Sequence, residues 1–72
     1  MQDFSYNVLV NNIKAIIEKK GFKQGAVARR ANFSESEFSN MLNERRKLIR
    51  AEYLPRIAHA LEVDVNELFK TD

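Results

Sequence analysis

The side chains that could bind a ligand are concentrated in the middle of the chain, and most of them are cationic. Between Lys19 and Arg50 there are nine basic and three acidic residues, a formal excess of +6. The remainder has three basic and seven acidic residues, a formal charge of −4. A basic stretch of this kind is typical of a surface that binds a polyanion. The same pattern also fits an unevenly charged solvated surface, so charge alone does not decide between the two.

Groups that carry covalent or metal chemistry are scarce in this sequence. There is no cysteine, and His59 is the only histidine, so we expect no disulfide framework, no metal site and no cofactor. The chain also lacks a Gly-rich phosphate loop, and 72 residues leave no room beside a core for a pocket of about 300 Å³. We therefore expect neither an enzyme nor a protein with a small-molecule substrate.

The composition favours one intracellular domain. Residues 1–6 lack the basic and apolar regions of a signal peptide, and no apolar run approaches the ~20 residues that cross a bilayer. The absence of cysteine also fits a reducing compartment. We expect a single domain over residues 1–72, located in the cytoplasm and without membrane contact.

Apolar residues repeat with the period of a helix, and no stretch alternates as a strand would. A first helix buries the face that contains Leu9 and Ile13 and ends at Gly21. Further helices are predicted over about 23–31, 35–43 and 51–61, the last with Pro55 in its first turn. Asp64 and Glu67 have the spacing of a capping box that starts a short fifth helix. The prediction is a compact all-α fold of five short helices.

The second and third helices meet at a tight turn in the middle of the basic stretch. Asn32 tolerates the left-handed conformation that such a turn requires. Ser34 and Glu37 have capping-box spacing and mark the start of the third helix. The shared apolar face of the two helices is predicted to contain Val27, Ala31, Phe33, Phe38 and Met41, with Leu42 partly covered. Ala28 is predicted to lie where the two helices approach most closely, because a larger side chain there would push them apart. This spacing gives a rigid corner that can present its second helix to a DNA major groove.

Two segments resemble a known family, KQGAVARRANFSESEFSNML (Lys23–Leu42) and YLPRIAHALEVDVNELF (Tyr53–Phe69). With them the chain resembles the phage-repressor and Cro type of helix-turn-helix protein, the XRE-like family, over roughly Leu9 to Phe69. The resemblance implies a lambda-repressor-like DNA-binding domain with its helix-turn-helix at residues 24–43. It also implies double-stranded DNA as the ligand and a homodimer as the binding unit.

By position, the resemblance implies a role for individual residues. Asn40 is the strongest candidate for reading a base, because a carboxamide can make two hydrogen bonds to adenine. Gln24 matches the family's glutamine at the start of the second helix, where its amide and the free backbone N–H groups would face a phosphate. The predicted base-reading residues are Glu35, Ser36, Ser39 and Asn40. The predicted phosphate-binding residues are Lys23, Gln24, Asn43, Arg45, Arg46, Lys47 and Arg50.

Several residues depart from the family pattern. Glu35 and Glu37 place two carboxylates where phosphates approach, and only Glu37 has a structural explanation, as the capping partner of Ser34. Glu35 could accept a hydrogen bond from cytosine N4 or pair with a basic group of a partner protein. Glu44 replaces the usual glycine after the third helix. Gly25 lies in the first turn of the second helix at a cost of up to ~1 kcal/mol.

The expected function is sequence-specific regulation of transcription, as a repressor that binds a palindromic operator as a dimer. One recognition helix spans only about 4–5 base pairs, so a two-fold dimer is needed for useful specificity. The alternative is a protein-binding helix-turn-helix module, such as an antitoxin-like or assembly partner, which the two glutamates favour.

Overall fold

The computed structural model describes residues 6–43 and 49–70, and all regular secondary structure in these two ranges is helical. The elements are α1 (Tyr6–Lys20), α2 (Gln24–Arg30), α3 (Glu35–Asn43), a first 3-10 helix (Ala51–Tyr53), α4 (Leu54–Leu61) and a closing 3-10 helix (Val65–Phe69). The all-α class is therefore confirmed for the described part of the chain. The count of five α-helices is not, because four α-helices are accompanied by two 3-10 helices.

The two 3-10 helices lie where the sequence predicted α-helix. The fourth helix was expected from about residue 51, but α geometry begins only at Leu54, with Pro55 in the first turn. Residues 51–53 form a 3-10 turn before it. The closing helix has only five residues, and helical pieces this short commonly take the tighter 3-10 form.

Only the Asp64 half of the capping box predicted at the start of the closing helix forms, and the prediction for Glu67 is wrong. Asp64 does cap it, because its Oδ1 accepts a hydrogen bond from the N–H of Asn66 at 3.0 Å. The N–H of Glu67 instead donates to the main-chain carbonyl of Asp64 at 2.9 Å, as a 3-10 turn requires. The Glu67 carboxylate lies 3.2 Å from Nζ of Lys70.

Three helices end in the same backbone motif, in which a residue with positive φ follows the helix. These residues are Gly21, Asn32 and Glu62, with φ values of 73°, 69° and 61°. In each case the N–H of that residue bonds the carbonyl three residues back, and the next N–H bonds the carbonyl five residues before it. This is the Schellman motif, which supplies partners for carbonyls that a helix end leaves free. The first two endings were predicted from the residue types, but the one at Glu62 was not.

The core lies where α1, the α2–α3 corner, α4 and the closing 3-10 helix meet. All of the buried residues in the described ranges are hydrophobic. The largest that are fully buried are Phe38, Leu9, Ile13, Ile57, Leu61, Leu68 and Val27. Ala28 has no exposed surface, which fits the close approach of α2 and α3 predicted there. Leu42 is buried rather than partly covered, because only 3% of its surface is exposed.

The C-terminal end of the described chain is tied to α1 by a polar contact. The Nδ2 of Asn12 donates to the main-chain carbonyls of Leu68 and Lys70 at 2.8 and 2.9 Å. The closing 3-10 helix is thereby held against α1, and its Leu68 completes the core. None of the helices described here has the length and apolar character required of a membrane span.

Candidate nucleic-acid interface

The outer face of α3 brings the four predicted base-reading residues together. Glu35, Ser36 and Asn40 are exposed and Ser39 is half-buried. The opposite face of the helix packs Phe38, Met41 and Leu42 into the core. Because a helix turns 100° per residue, positions 35, 36, 39 and 40 fall on one side. The arrangement is that of a helix held by its apolar face, with short polar side chains turned outward.

The start of α3 is closed by the predicted capping box. The N–H of Glu37 donates to Oγ of Ser34 at 3.0 Å, and the N–H of Ser34 donates to Oε1 of Glu37 at 2.9 Å. The reciprocal bonds satisfy two main-chain donors at the helix start. The Glu37 carboxylate is therefore committed to the fold.

Glu35, which had no clear structural role in the sequence, has two neighbours in the fold. Its Oε2 lies 3.0 Å from Nη1 of Arg29, in an ion pair whose two side chains are each 67% exposed. Its carboxylate also covers Gly25, where an added Cβ would lie 2.8 Å from Cδ of Glu35. Gly25 thus leaves room for the Glu35 carboxylate to lie against α2. An ion pair this exposed adds little stability, so its effect is to orient the carboxylate.

Asn43, predicted to bind a phosphate, closes the end of α3. Its Nδ2 donates to the main-chain carbonyl of Ser39 at 2.9 Å and to Oγ of Ser39 at 3.2 Å. A serine hydroxyl that accepts a hydrogen bond still has a proton to donate. Asn43 therefore orients Ser39 so that its hydroxyl can donate to another acceptor.

Lys23 and Gln24 lie together at the start of α2, and both are exposed. Lys23 is the N-cap residue, with extended backbone at φ −91° and ψ 137°, and no side chain caps this helix. The first-turn N–H groups of α2 therefore lack a side-chain acceptor from the cap. Two of the predicted phosphate-binding residues are thus exposed side by side at the start of α2, the helix that packs against α3.

Arg50 shares a groove of about 260 Å³ with the recognition helix. The groove is lined by Glu37, Asn40, Met41, Arg50 and Tyr53. Arg50 is exposed and precedes the first 3-10 helix, where its carbonyl accepts from the N–H of Tyr53 at 2.9 Å. A predicted phosphate-binding cation and the strongest predicted base-reading residue therefore line the same groove. The predicted phosphate-binding residues Arg45, Arg46 and Lys47 lie outside the described residues.

Tyr6 holds both sides of the segment that carries those three cations. Its hydroxyl donates to the main-chain carbonyl of Met41 at 3.3 Å and accepts from the N–H of Ile49 at 3.1 Å. The end of α3 and the approach to α4 are thereby attached to the start of α1. From the sequence, Tyr6 belongs to the apolar face of the first helix and was expected to cover the end of that helix or to contact a second subunit; its two main-chain bonds were not expected.

Arg56 is the principal residue that the sequence did not single out. It projects from α4 to the turn between α2 and α3, where its guanidinium bonds the carbonyls of Ala31 and Asn32 at 2.9 and 2.8 Å. The guanidinium carbon lies 4.1 Å from the ring centre of Phe33 and 5.1 Å from that of Tyr53. No local spacing signals this contact, because its partners are 24 and 25 residues away in sequence.

Two arginines of the basic stretch are paired within the protein. Arg29 contacts Glu35, as described above, and Nη2 of Arg30 lies 2.7 Å from Oε2 of Glu62. The hydrogen bond and the charge of Arg30 lower the pKa of the Glu62 carboxyl, with smaller contributions from Lys20 and His59. Two of the nine cations counted in the sequence are therefore paired with carboxylates of the chain, whereas Lys19, Lys23 and Arg50 are exposed.

The expectation that the chain leaves no room for a pocket of about 300 Å³ is wrong. A surface groove of about 420 Å³ runs between α1 and the end of α3. It is lined by Tyr6, Asn7, Val10, Asn11, Lys14, Leu42 and Asn43.

Comparisons with known proteins agree with this geometry. Residues 12–72 match a family model described as the Cro/C1-type HTH DNA-binding domain. No curated protein matches the chain in sequence. Among solved structures, the chain is similar to the clp gene regulator ClgR from C. glutamicum, with a TM-score of 0.78 and 19% identity. That similarity covers 93% of this chain and 86% of the other, and it shows a shared fold.

Proposed function

Because the chain belongs to the Cro/C1-type helix-turn-helix DNA-binding domain family, we propose that it is a sequence-specific transcriptional repressor that binds a palindromic operator as a homodimer. The observation that carries the proposal is the outer face of α3, which presents short polar side chains beside Arg50 while its inner face is anchored in the core. A helix held in this way can enter a major groove without losing its packing. The ligand is double-stranded DNA, and the protein acts in the cytoplasm as a single domain over residues 1–72.

The base contacts are assigned to the exposed residues of α3. Asn40 makes two hydrogen bonds to an adenine, and the hydroxyls of Ser36 and Ser39 contact neighbouring bases. Glu35 accepts a hydrogen bond from cytosine N4, with Arg29 holding its carboxylate in place. A carboxylate at this position disfavours bases that present only acceptors there.

The phosphate contacts flank the recognition helix on both sides. Lys23 and Gln24 bind the backbone at the start of α2, and Arg50 binds it beyond the end of α3. Asn43 joins the second group only if its Nδ2 gives up one of its two bonds to Ser39. Arg45, Arg46 and Lys47 extend the second group. Neutralising several phosphates makes binding strongly dependent on salt, because condensed counterions are released.

Dimerisation follows from the size of the footprint. One recognition helix covers about 4–5 base pairs, and two helices related by a two-fold axis read both halves of a palindrome about one helical turn apart. Repression follows if the operator overlaps the site where polymerase binds.

Selection of bound duplexes from a random pool tests site, symmetry and spacing together. The expected product is an inverted repeat with half-site centres about 10 base pairs apart. Fluorescence anisotropy against the selected duplex and a scrambled duplex, at increasing salt, then separates specific from nonspecific affinity. Enrichment of no sequence, or binding that salt does not weaken, contradicts the proposal.

The protein-binding alternative loses the observation that favoured it. Both Glu35 and Glu37 have partners within the chain, Arg29 and Ser34 respectively, so neither requires a partner protein to explain it. The Glu35→Gln, Glu37→Gln double variant discriminates between the two functions, because a glutamine at position 37 still caps the helix. Removing two carboxylates should tighten nonspecific DNA binding. Unchanged DNA binding in the double variant would favour the protein-binding alternative.

A further inference from the structure

We propose that Arg56 is a positioning residue for the recognition helix: from α4 it fixes the turn that sets the direction of α3 relative to the rest of the domain. This inference rests on the proposed function for its consequence in DNA binding. The clamp itself is a property of the fold. Its parts are two carbonyls, two aromatic rings and one guanidinium.

The two carbonyls that Arg56 binds are ones that the turn leaves free. The Schellman bonds at Asn32 use the carbonyls of Ala28 and Arg29 and leave those of Ala31 and Asn32 for another donor. Nε of Arg56 donates to the first at 2.9 Å, and Nη2 donates to the second at 2.8 Å. A guanidinium presents these donors in a fixed plane, so both bonds form together only when the turn has one orientation.

The aromatic neighbours connect the clamp to both sides of the proposed interface. Phe33 contacts the guanidinium and stacks with Phe38 of α3, with ring centres 6.1 Å apart. Tyr53 contacts the guanidinium and meets Phe33 edge to face at 5.0 Å. Tyr53 also lines the groove that holds Asn40 and Arg50. A shift of Arg56 would therefore move the base-reading helix and the phosphate-binding Arg50 relative to each other.

The Arg56→Lys variant tests this inference because it retains the charge and removes the planar pair of donors. Specific affinity should fall about tenfold, the size expected for loss of a charged hydrogen bond. Affinity for the scrambled duplex and the salt slope should not change, because the proposal assigns Arg56 to the turn carbonyls and not to a phosphate. The matched control is Arg30→Lys. Arg30 contacts the turn after α4, but it binds the carboxylate of Glu62 and no main-chain carbonyl of that turn. This control should alter specific affinity by less than about twofold.

Hydrogen exchange provides a second readout that needs no DNA. In Arg56→Lys the amides of Asn32 and Phe33 should exchange about tenfold faster, because the turn opens more readily. The amides of Gly21 and Phe22, which form the same motif at the end of α1, are the internal control and should not change. Unchanged exchange at Asn32 and Phe33 overturns the clamp, whatever the DNA results.

The DNA measurements distinguish positioning from stabilisation. They are made at a temperature where circular dichroism shows every variant folded. Faster exchange with an unchanged ratio of specific to nonspecific affinity means that Arg56 only stabilises the domain, which overturns the positioning role. A parallel loss of both affinities with a smaller salt slope means a phosphate contact, which also overturns it. If the unsubstituted protein selects no duplex, the proposed function fails, while hydrogen exchange still decides the clamp.

A second variant covers the case in which Arg56→Lys does not fold. Tyr53→Leu removes one aromatic face from the guanidinium and leaves both carbonyl bonds in place. Specific affinity should fall about threefold relative to nonspecific affinity, in line with the loss of a half-exposed cation–π contact. An unchanged ratio overturns the inference.

Discussion

The turns after α2 and after α4 have the same backbone geometry but are held by different chemistry. Each ends its helix with a positive-φ residue, Asn32 in one and Glu62 in the other. Each is contacted by an arginine from the other helix, so that α4 supplies Arg56 and α2 supplies Arg30. At the first turn the arginine binds two main-chain carbonyls and contacts two aromatic rings. At the second it binds an exposed carboxylate and lies 5.6 Å from the ring centre of Phe22, while the main-chain carbonyl of Glu62 accepts from Nζ of Lys20 at 3.1 Å.

The difference matters because only the turn after α2 leads directly into α3, the proposed recognition helix. Main-chain carbonyls are present whatever residues occupy the turn, and they do not titrate. The carboxylate of Glu62 can be lost by substitution or by protonation, and an exposed ion pair contributes little stability. The turn next to the proposed DNA surface therefore has the contact that depends less on sequence and pH.

The largest difference should come from removing each arginine. Arg56→Met should lower the free energy of unfolding by about 2 kcal/mol, because the bonds from a charged donor to two carbonyls are lost. Arg30→Met removes an exposed ion pair and a contact with the Phe22 ring, and it should cost less because no bond to a main-chain carbonyl is lost. Urea unfolding of both variants measures the two values. Equal losses of unfolding free energy would show that the bonds of Arg56 to main-chain carbonyls stabilise the fold no more than the ion pair of Arg30 does.

Substitutions at the two positive-φ residues should change the free energy of unfolding according to how well each residue type tolerates the left-handed conformation. Asn32→Ala should lower the free energy of unfolding by about 1 kcal/mol, because alanine tolerates the left-handed region less well than asparagine. Asn32→Gly is its control and should be close to neutral. Glu62→Gly relieves strain at a residue type poorly suited to that region, so it should raise the free energy of unfolding. A loss in Glu62→Gly would mean that the contacts of Glu62 outweigh its backbone strain.

The smallest effect is one of pH and should appear only at the α4 turn. Arg30 lowers the pKa of Glu62 in the folded state. The stability that this carboxylate contributes is therefore complete above its unfolded pKa and is lost as the pH falls through the folded pKa. The original protein should have a higher free energy of unfolding than Glu62→Gln at neutral pH, and this difference should vanish in acid. The loss of unfolding free energy in Arg56→Met should be the same at both pH values. Urea unfolding of both variants and of the original protein at neutral and acid pH measures these differences.

Much of the recognition corner could be predicted because its determinants are local. The left-handed conformation of Asn32 and the bonds between Ser34 and Glu37 involve residues at most three positions apart. The buried face of α3 follows from helical period. The predictions failed where length and tight turns mattered, as in the 3-10 form of the closing helix and in the Glu67 bond that was expected but does not form.

The functional surface was predicted less completely. Residue types placed Glu35, Ser36, Ser39 and Asn40 on one side of a helix, and the structure has them there. The sequence could not show that Arg29 orients Glu35 across Gly25, nor that Asn43 bonds Ser39. Both contacts depend on how the helices end and cross, which residue spacing alone does not specify.

What the sequence by itself determined is the all-helical class, the helix endings at Gly21 and Asn32, and the polar outer face of α3. These follow from interactions within one or two helical turns. What only the tertiary structure decided is how the helices are fastened to one another, by Tyr6, Asn12 and Arg56. Each of these side chains bonds main-chain atoms 24 to 58 residues away. Any main-chain carbonyl can accept such a bond, so residue identity does not reveal which carbonyl does so until the chain is folded.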